Sequence, residues 1–211
     1  MVKRLEMGKL IKISEEHPEQ AKVDCVASYL RDGGVVIYPT DTLYGMGCAI
    51  NNARAVERII QCKGLKVKNA QFSFICHSIS QIAEFALVSD KNFEVLKANL
   101  PGPFTFILPG LSKVPAYFIS KRKTVGVRIP ANPIPRCIVE TLGVPILTTS
   151  IPNDDDPAYT YHPELIAERW STRVDLIIDG GSGGQTPSTV VDCTGSEIEV
   201  VRKGKGILNL S

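Results

Sequence analysis

The chain has only three histidines in 211 residues, His17, His77 and His162, far apart and in no metal-ligand spacing. A zinc or similar centre draws on closely spaced His, Cys and carboxylates, so no intrinsic metal site is expected. Six cysteines are present, Cys25, Cys48, Cys62, Cys76, Cys137 and Cys193, but none forms a C-x-x-C pair and several lie inside apolar runs. They read as reduced thiols that pack as small hydrophobes, as in a cytoplasmic protein. No stretch approaches the roughly 20 apolar residues that cross a bilayer. The opening MVKRLEMGKLIKISEE also lacks the apolar core of about 7–15 residues of a signal peptide. A soluble, cytoplasmic protein without a membrane partner is the expectation. Net charge is small as well, +2, too little by itself to name a nucleic-acid partner.

What is present suits a globular chain. Hydrophobic residues make up 44% of the sequence, enough to bury a sizeable core, and the length suits one domain spanning 1–211. Elements alternate in a mixed α/β order, with Gly and Pro at most junctions. Helices are expected over 18–32, 52–62, 80–85, 90–99, 134–142 and 163–170. Strands are expected over 35–38, 72–76, 104–108, 125–129, 146–149, 174–179, 188–192 and 198–202. Short turns between the last three suggest antiparallel additions to the sheet. Trp170 reads as a helix anchor on the sheet, and GGSGG at 180–184 as a flexible turn between strands.

The richest stretch is VVIYPTDTLYGMGC, residues 35–48. Its β-branched and aromatic start favours a buried strand, and Pro39, lacking an N–H, ends ladder pairing as at a sheet edge. Residues 39–47 then read as a polar loop. Thr40, Asp41 and Thr42 supply hydroxyls and a carboxylate, and Gly45 and Gly47 allow close backbone approach or positive φ. Two readings stand: a ligand loop at a strand's carboxyl end, or a turn whose Asp41 and Thr40 bond local backbone.

Polar residues recur at other strand ends. Thr105 sits inside an apolar strand, Thr148, Thr149 and Ser150 end another, and Ser188 and Thr189 begin a third. Arg128, between Val127 and Ile129, requires either an anionic ligand or a structural partner such as Asp179 or Asp192. Basic residues cluster three times: Arg54, Arg58, Lys63, Lys66 and Lys68; Lys121, Arg122, Lys123, Arg128 and Arg136; and Arg202, Lys203 and Lys205. Brought together they would hold an anion such as a nucleotide phosphate; apart, they are solvated faces.

PTDTLYGMG, PGPFTFIL, VGVRIP, TTS, PSTVVD and VVRKGKG occur in this order over nearly the whole chain. In combination they resemble the YrdC/YciO family of L-threonylcarbamoyladenylate synthase-like proteins. FSFICHSISQIA and RKTVGVRIP place the chain nearer the YciO branch. The resemblance implies an α/β fold, a twisted open mixed parallel/antiparallel sheet with helices on its faces and a basic central cavity. It also implies a nucleotidyltransferase that takes L-threonine, bicarbonate and ATP, with Mg2+ carried by the ATP, to threonylcarbamoyl-AMP for tRNA modification. By matching position Lys63 and Ser150 would be catalytic, and Thr40, Thr42, Arg128 and Thr189 would bind substrate. Lys63, Lys66, Thr105, Thr149 and Arg202 would hold the nucleotide. The chemistry suits these types, because charge developing on carbonate and the α-phosphate is stabilised by preorganised cations and donors.

Two motifs depart from the synthase pattern. The family's K-x-R is here Lys63, Gly64, Leu65, and its S-x-N is Ser150, Ile151, Pro152, with Asn153 one residue late and three aspartates following. Neighbouring lysines do not reproduce a guanidinium fork, and removing one transition-state donor typically costs about a hundredfold to a thousandfold in rate. A second class of function therefore stays open, a noncatalytic protein that binds tRNA or double-stranded RNA through the same basic cavity.

Overall fold

The computed structural model describes residues 8–64, 72–115, 123–152 and 157–210. Among them ten strands form one mixed sheet in the order β1-β8-β2-β3-β7-β4-β6-β5-β9-β10. The strands are β1 (Lys9–Lys12), β2 (Val36–Tyr38), β3 (Gly45–Ala49), β4 (Ser73–Ile75), β5 (Phe104–Pro109), β6 (Thr124–Arg128), β7 (Ile146–Ser150), β8 (Leu176–Asp179), β9 (Thr189–Asp192) and β10 (Glu199–Arg202). Between them run α1 (Gln20–Arg31), α2 (Ala53–Cys62), α3 (Ile79–Phe85), α4 (Asp90–Asn99), α5 (Pro133–Leu142) and α6 (Pro163–Trp170). No helix of the described residues is long and apolar enough to cross a membrane.

Local chemistry sets most helix ends. Asn52, Ser78, Ser89 and Asn132 each accept a hydrogen bond from a first-turn backbone N–H of α2, α3, α4 and α5, satisfying a donor the helix itself leaves open. Helix α5 begins with Pro133 and stops at Gly143, whose φ of 80° takes the left-handed cap that glycine adopts freely.

The helices divide unequally over the two faces. Val23, Val26, Ala27 and Leu30 of α1 and Ile134, Ile138 and Val139 of α5 pack on Val36, Tyr38, Ile75, Ile146, Leu176 and Ile178. The opposite face carries the other four helices. There α2 and α6 cover Ile37, Met46, Cys48, Leu147 and Ile177, while α3 and α4 cover Phe74, Val127, Phe106 and Val191. Strand alternation sends neighbouring residues to opposite faces, so the first face should continue past Ile75, the β4 residue that α5 covers, over Ser73 and onto β6, β5 and β9, where the cluster under α1 and α5 has no member.

The structure corrects three expectations. Residues 45–49 form strand β3, so β2 lies inside the sheet between β8 and β3 rather than at an edge. The glycines there provide space, not positive φ. Tyr38 lies across β3, and a Cβ would come 2.9 Å from its ring at Gly45 and 2.7 Å from its hydroxyl at Gly47. Of the last three strands only β10 joins antiparallel, on β9; β8 is parallel to both β1 and β2, and β9 is parallel to β5. The short edge strand β1 had no expectation attached to it.

Candidate functional site

The side chains of the uncovered stretch follow from alternation. Register pairs Ser73 with both Thr148 and Gly126, and Gly126 with Ile107. A Cβ at Gly126 would lie 2.9 Å from Ser73 Oγ and 3.3 Å from Thr105 Cγ2, so these residues share one face. Ser73, Gly126, Thr105 and Thr148 are small or hydroxyl-bearing where the covered half of the face is large and apolar, with Ile107 and Val190 the apolar residues opposite Gly126 and Thr105. The hydroxyls are buried and engaged: Tyr38 donates to Thr148 Oγ1 at 2.7 Å, and Thr105 and Ser188 share a hydrogen bond of 2.9 Å. Arg202 donates to the Ser188 carbonyl at 2.8 Å and to its hydroxyl at 3.2 Å.

Arg128, at the end of β6, crosses this face toward the loop after β2. Its guanidinium pairs with Asp41 and donates to Thr42 Oγ1 at 2.6 Å and Thr40 Oγ1 at 3.3 Å. Asp41 is therefore its structural partner. Asp179 instead accepts the Gly181 N–H, and Asp192 accepts from Thr194. Asp41 also accepts the Ala131 N–H at 3.0 Å, and Lys205 donates to the Asp41 carbonyl at 2.7 Å. These bonds draw the 40–42 loop over β6 and join two of the three basic clusters. Arg128 Nε is buried with no hydrogen-bond partner among the described residues, an unsatisfied donor of the kind that water or a ligand normally meets.

The glycine segment 180–184 backs the same loop. Tyr44 donates its hydroxyl proton to the Gly181 carbonyl at 2.7 Å, the Gly183 N–H donates to the Tyr161 carbonyl at 2.8 Å, and a Cβ at Gly184 would collide with the Thr42 carbonyl. It is pinned at both ends rather than a free turn.

Two site candidates lie on the helix-covered face. Thr149 pairs in register with Met46 of the α2-side core. Its hydroxyl accepts from Lys63 Nζ at 2.8 Å, and the Ser150 carbonyl accepts from the same ammonium at 3.0 Å. Burial lowers the Lys63 pKa from its ordinary 10.5. Thr189 pairs with Phe104; its hydroxyl donates to the Gly206 carbonyl and accepts the Gly204 N–H. It is engaged in holding the C-terminal segment. The structure thus brings together Thr40, Thr42, Arg128, Thr105 and Arg202, with Ser150 on the same face, while Lys63 reaches the end of β7 from the other side. Lys66, Leu65, Lys68 and Asn153 with the aspartates after it lie outside the described residues. Asp41 as the Arg128 partner, and Ser73, Gly126, Ser188 and Lys205, are absent from the expected site residues; small residues at alternate positions of β4 and β6 are the signal that marks Ser73 and Gly126.

Among the described residues no group of three or more His, Cys, Asp and Glu side chains could hold a metal ion. Asp41, the carboxylate beside the Thr40 and Thr42 hydroxyls, is held by Arg128. The described residues do not fit a magnesium held by the protein; a magnesium carried by substrate phosphates needs no such ligands.

The comparisons with known proteins agree with this architecture. The family model Sua5_yciO_yrdC, described as "Telomere recombination", matches residues 28–204. The protein YciO of Escherichia coli K12 is 38% identical over 201 residues, 95% of this chain and 97% of that one. Its crystal structure superposes with a TM-score of 0.88 over 97% of this chain and 99% of that one, at 37% identity. A threonylcarbamoyl-AMP synthase of Halorhodospira halophila is 30% identical over 173 residues, 81% of this chain and 90% of its own. The Pyrococcus abyssi Sua5 structure complexed with L-threonine has a TM-score of 0.83 and 30% identity over 93% of this chain, which spans 57% of that longer protein. The chain belongs to the Sua5/YciO/YrdC family.

Proposed function

We propose that this protein binds L-threonine and ATP on the uncovered polar face and joins them with bicarbonate as threonylcarbamoyl-AMP. The observation that carries the reading is Arg128, a buried guanidinium with an unsatisfied Nε on a face of small and hydroxyl residues. Such a group recognises a carboxylate through paired N–H donors. The likeness to a Sua5 structure that holds L-threonine supports the same ligand class.

In the proposed reaction the threonine nitrogen bonds to the bicarbonate carbon, and a carbamate oxygen then bonds to the α-phosphorus, while water and pyrophosphate leave. Arg128 holds the amino-acid carboxylate, and the Thr40 and Thr42 hydroxyls orient the bound molecule beside it. Thr105, Ser188 and Arg202 offer donors to the adenylate end. Lys63 and Ser150 sit where β7 ends and would meet the departing phosphates. Leu65 and Pro152 stand at two positions where the synthase motifs carry donors, so turnover is expected to be slow.

The test is pyrophosphate release by the purified protein with ATP, magnesium, bicarbonate and L-threonine, beside a Leu65→Arg, Pro152→Asn variant. Threonine-dependent release by the wild type, raised at least tenfold in the variant, supports the reading. Release that ignores threonine in both proteins contradicts it.

A further inference from the structure

The segment after β10 returns to the polar face through one side chain. Lys205 is exposed, yet its ammonium donates to the Asp41 carbonyl at 2.7 Å, across 164 residues of sequence. The backbone beneath it is held on both sides. The Lys205 N–H donates to the Pro187 carbonyl at 2.8 Å, and a single hydroxyl, that of Thr189, accepts the Gly204 N–H and donates to the Gly206 carbonyl. A Cβ would lie 2.3 Å from the Pro187 carbonyl oxygen at Gly204 and 2.5 Å from the Phe104 ring at Gly206, so a side chain at either position would push the segment away. Further along, the Asn99 amide clamps Asn209, accepting its N–H at 2.9 Å and donating to its carbonyl at 2.7 Å.

What Lys205 reaches is the peptide on which the 40–42 loop is built. The Asp41 carbonyl and the Thr42 N–H belong to one planar unit. The carbonyl accepts from Lys205, and the N–H donates to Thr40 Oγ1 at 3.1 Å. Thr40 Oγ1 lies 3.1 Å from Thr42 Oγ1, and Arg128 donates to both hydroxyls. Turning that peptide therefore moves every group of the loop that meets the guanidinium. Asp41 is held by its side chain from the end of β6 and by its backbone from the segment that Thr189 of β9 anchors. Sheet order places β5 between those two strands, so the contact closes a ring around the start of β5, where Thr105 lies. Stability alone does not account for the contact, because fixing an exposed lysine stem costs rotamer freedom and one hydrogen bond returns little net stability in water.

We propose that Lys205 is a positioning residue for the ligand at Arg128: it sets the Asp41–Thr42 peptide, and so the aim of the Thr40 and Thr42 hydroxyls, before a ligand arrives. The assignment rests on the reading of the polar face as the L-threonine site and adds to it a residue that acts through the loop.

The experiment compares the wild type with Lys205→Met, which keeps the stem and loses the donors, and Lys205→Arg, which restores a donor. Lys203→Met is the control, since Lys203 is an exposed neighbour with no bond to the loop among the described residues. Each protein is checked for an unchanged thermal melt. Backbone amide exchange is measured first, without ligand, and L-threonine affinity by calorimetry second. In Lys205→Met the Thr42 amide and the Ala131 amide, which Asp41 accepts, should exchange at least tenfold faster, while the Gly183 amide, bonded to the Tyr161 carbonyl, keeps its rate. L-threonine should bind at least fivefold more weakly, Lys205→Arg should restore most of both, and Lys203→Met should match the wild type. Wild-type exchange at Thr42 and Ala131 in Lys205→Met overturns the assignment. So does an L-threonine affinity unchanged beside faster exchange, or an equal loss in Lys203→Met, which would make the effect one of charge alone. A wild type that binds no L-threonine brings down the substrate reading by itself, and the exchange rates then decide whether Lys205 sets the loop.

Discussion

One face of the sheet carries two surfaces on shared strands. On β7 the residue under α1 and α5 is Ile146, and two and four positions on it is Thr148 and then Ser150; on β4 Ile75 gives way to Ser73. Burial separates the halves only in part: Thr148, Thr105 and Ser188 are buried, with exposures of 9%, 7% and 5%, while Ser73 and Gly126 are half-buried and Ser150 is exposed. Side-chain size and polarity separate them further. The apolar half is stabilised by packing that no ligand need complete. The polar half is stabilised by hydroxyls that satisfy one another and by one guanidinium held across the gap. The difference teaches that a binding face can be part of the folded interior, with its donors already ordered before a ligand arrives.

The sharpest way to break the comparison is Arg128→Met. It leaves the Asp41 carboxylate with the Ala131 N–H and without its guanidinium, and losing one partner of such a buried pair costs about 3–5 kcal/mol. Urea denaturation checks this, and Asp41→Asn added to Arg128→Met should recover part of the loss. Next comes Ile146→Ala on the covered half, expected to cost about 2–5 kcal/mol while leaving L-threonine affinity unchanged in the folded fraction. Thr148→Val removes the acceptor of the buried Tyr38 hydroxyl, a loss of about 1–3 kcal/mol by the same denaturation.

Thr105→Val should have a smaller effect on stability, about 0.5–1.5 kcal/mol, yet weaken nucleotide binding measured by fluorescence titration, reversing the pattern of Ile146→Ala. The smallest expected effect is a pH trend at Lys63. Its pKa is lowered by burial from 10.5, so the unfolded chain holds that proton to higher pH than the folded one. Stability relative to Lys63→Met should rise as pH climbs from the lowered value toward 10.5, read from denaturation midpoints across that window.

Much of this was legible in the sequence. Helices α2, α4, α5 and α6 announce themselves through polar or proline starts and apolar periodicity, and Val35 to Tyr38 through β-branching. Strand β3 was hidden because Gly45 and Gly47 read as loop formers, although Met46 and Cys48 alternate with them; what decides the matter is the Tyr38 ring lying over both glycines, a contact between strands. Arg128 was legible as a charge needing a partner, but Asp41 was not identifiable as that partner, since 87 residues separate them and only the sheet order brings them together. Thr149 and Thr189 show the converse. Hydroxyls in consecutive positions look equivalent in sequence, yet alternation sends Thr148 and Ser188 to one face and Thr149 and Thr189 to the other.

The central claim, that the polar half of the face is a substrate site organised by Arg128, is tested most directly by calorimetric titration of L-threonine into the wild type and Arg128→Lys. Lysine keeps the charge opposite Asp41 but not the paired N–H edge. The predicted result is saturable binding by the wild type that weakens at least tenfold in Arg128→Lys, with the fold unchanged by circular dichroism. Equal affinity in the two proteins, or no binding by the wild type, would contradict the account.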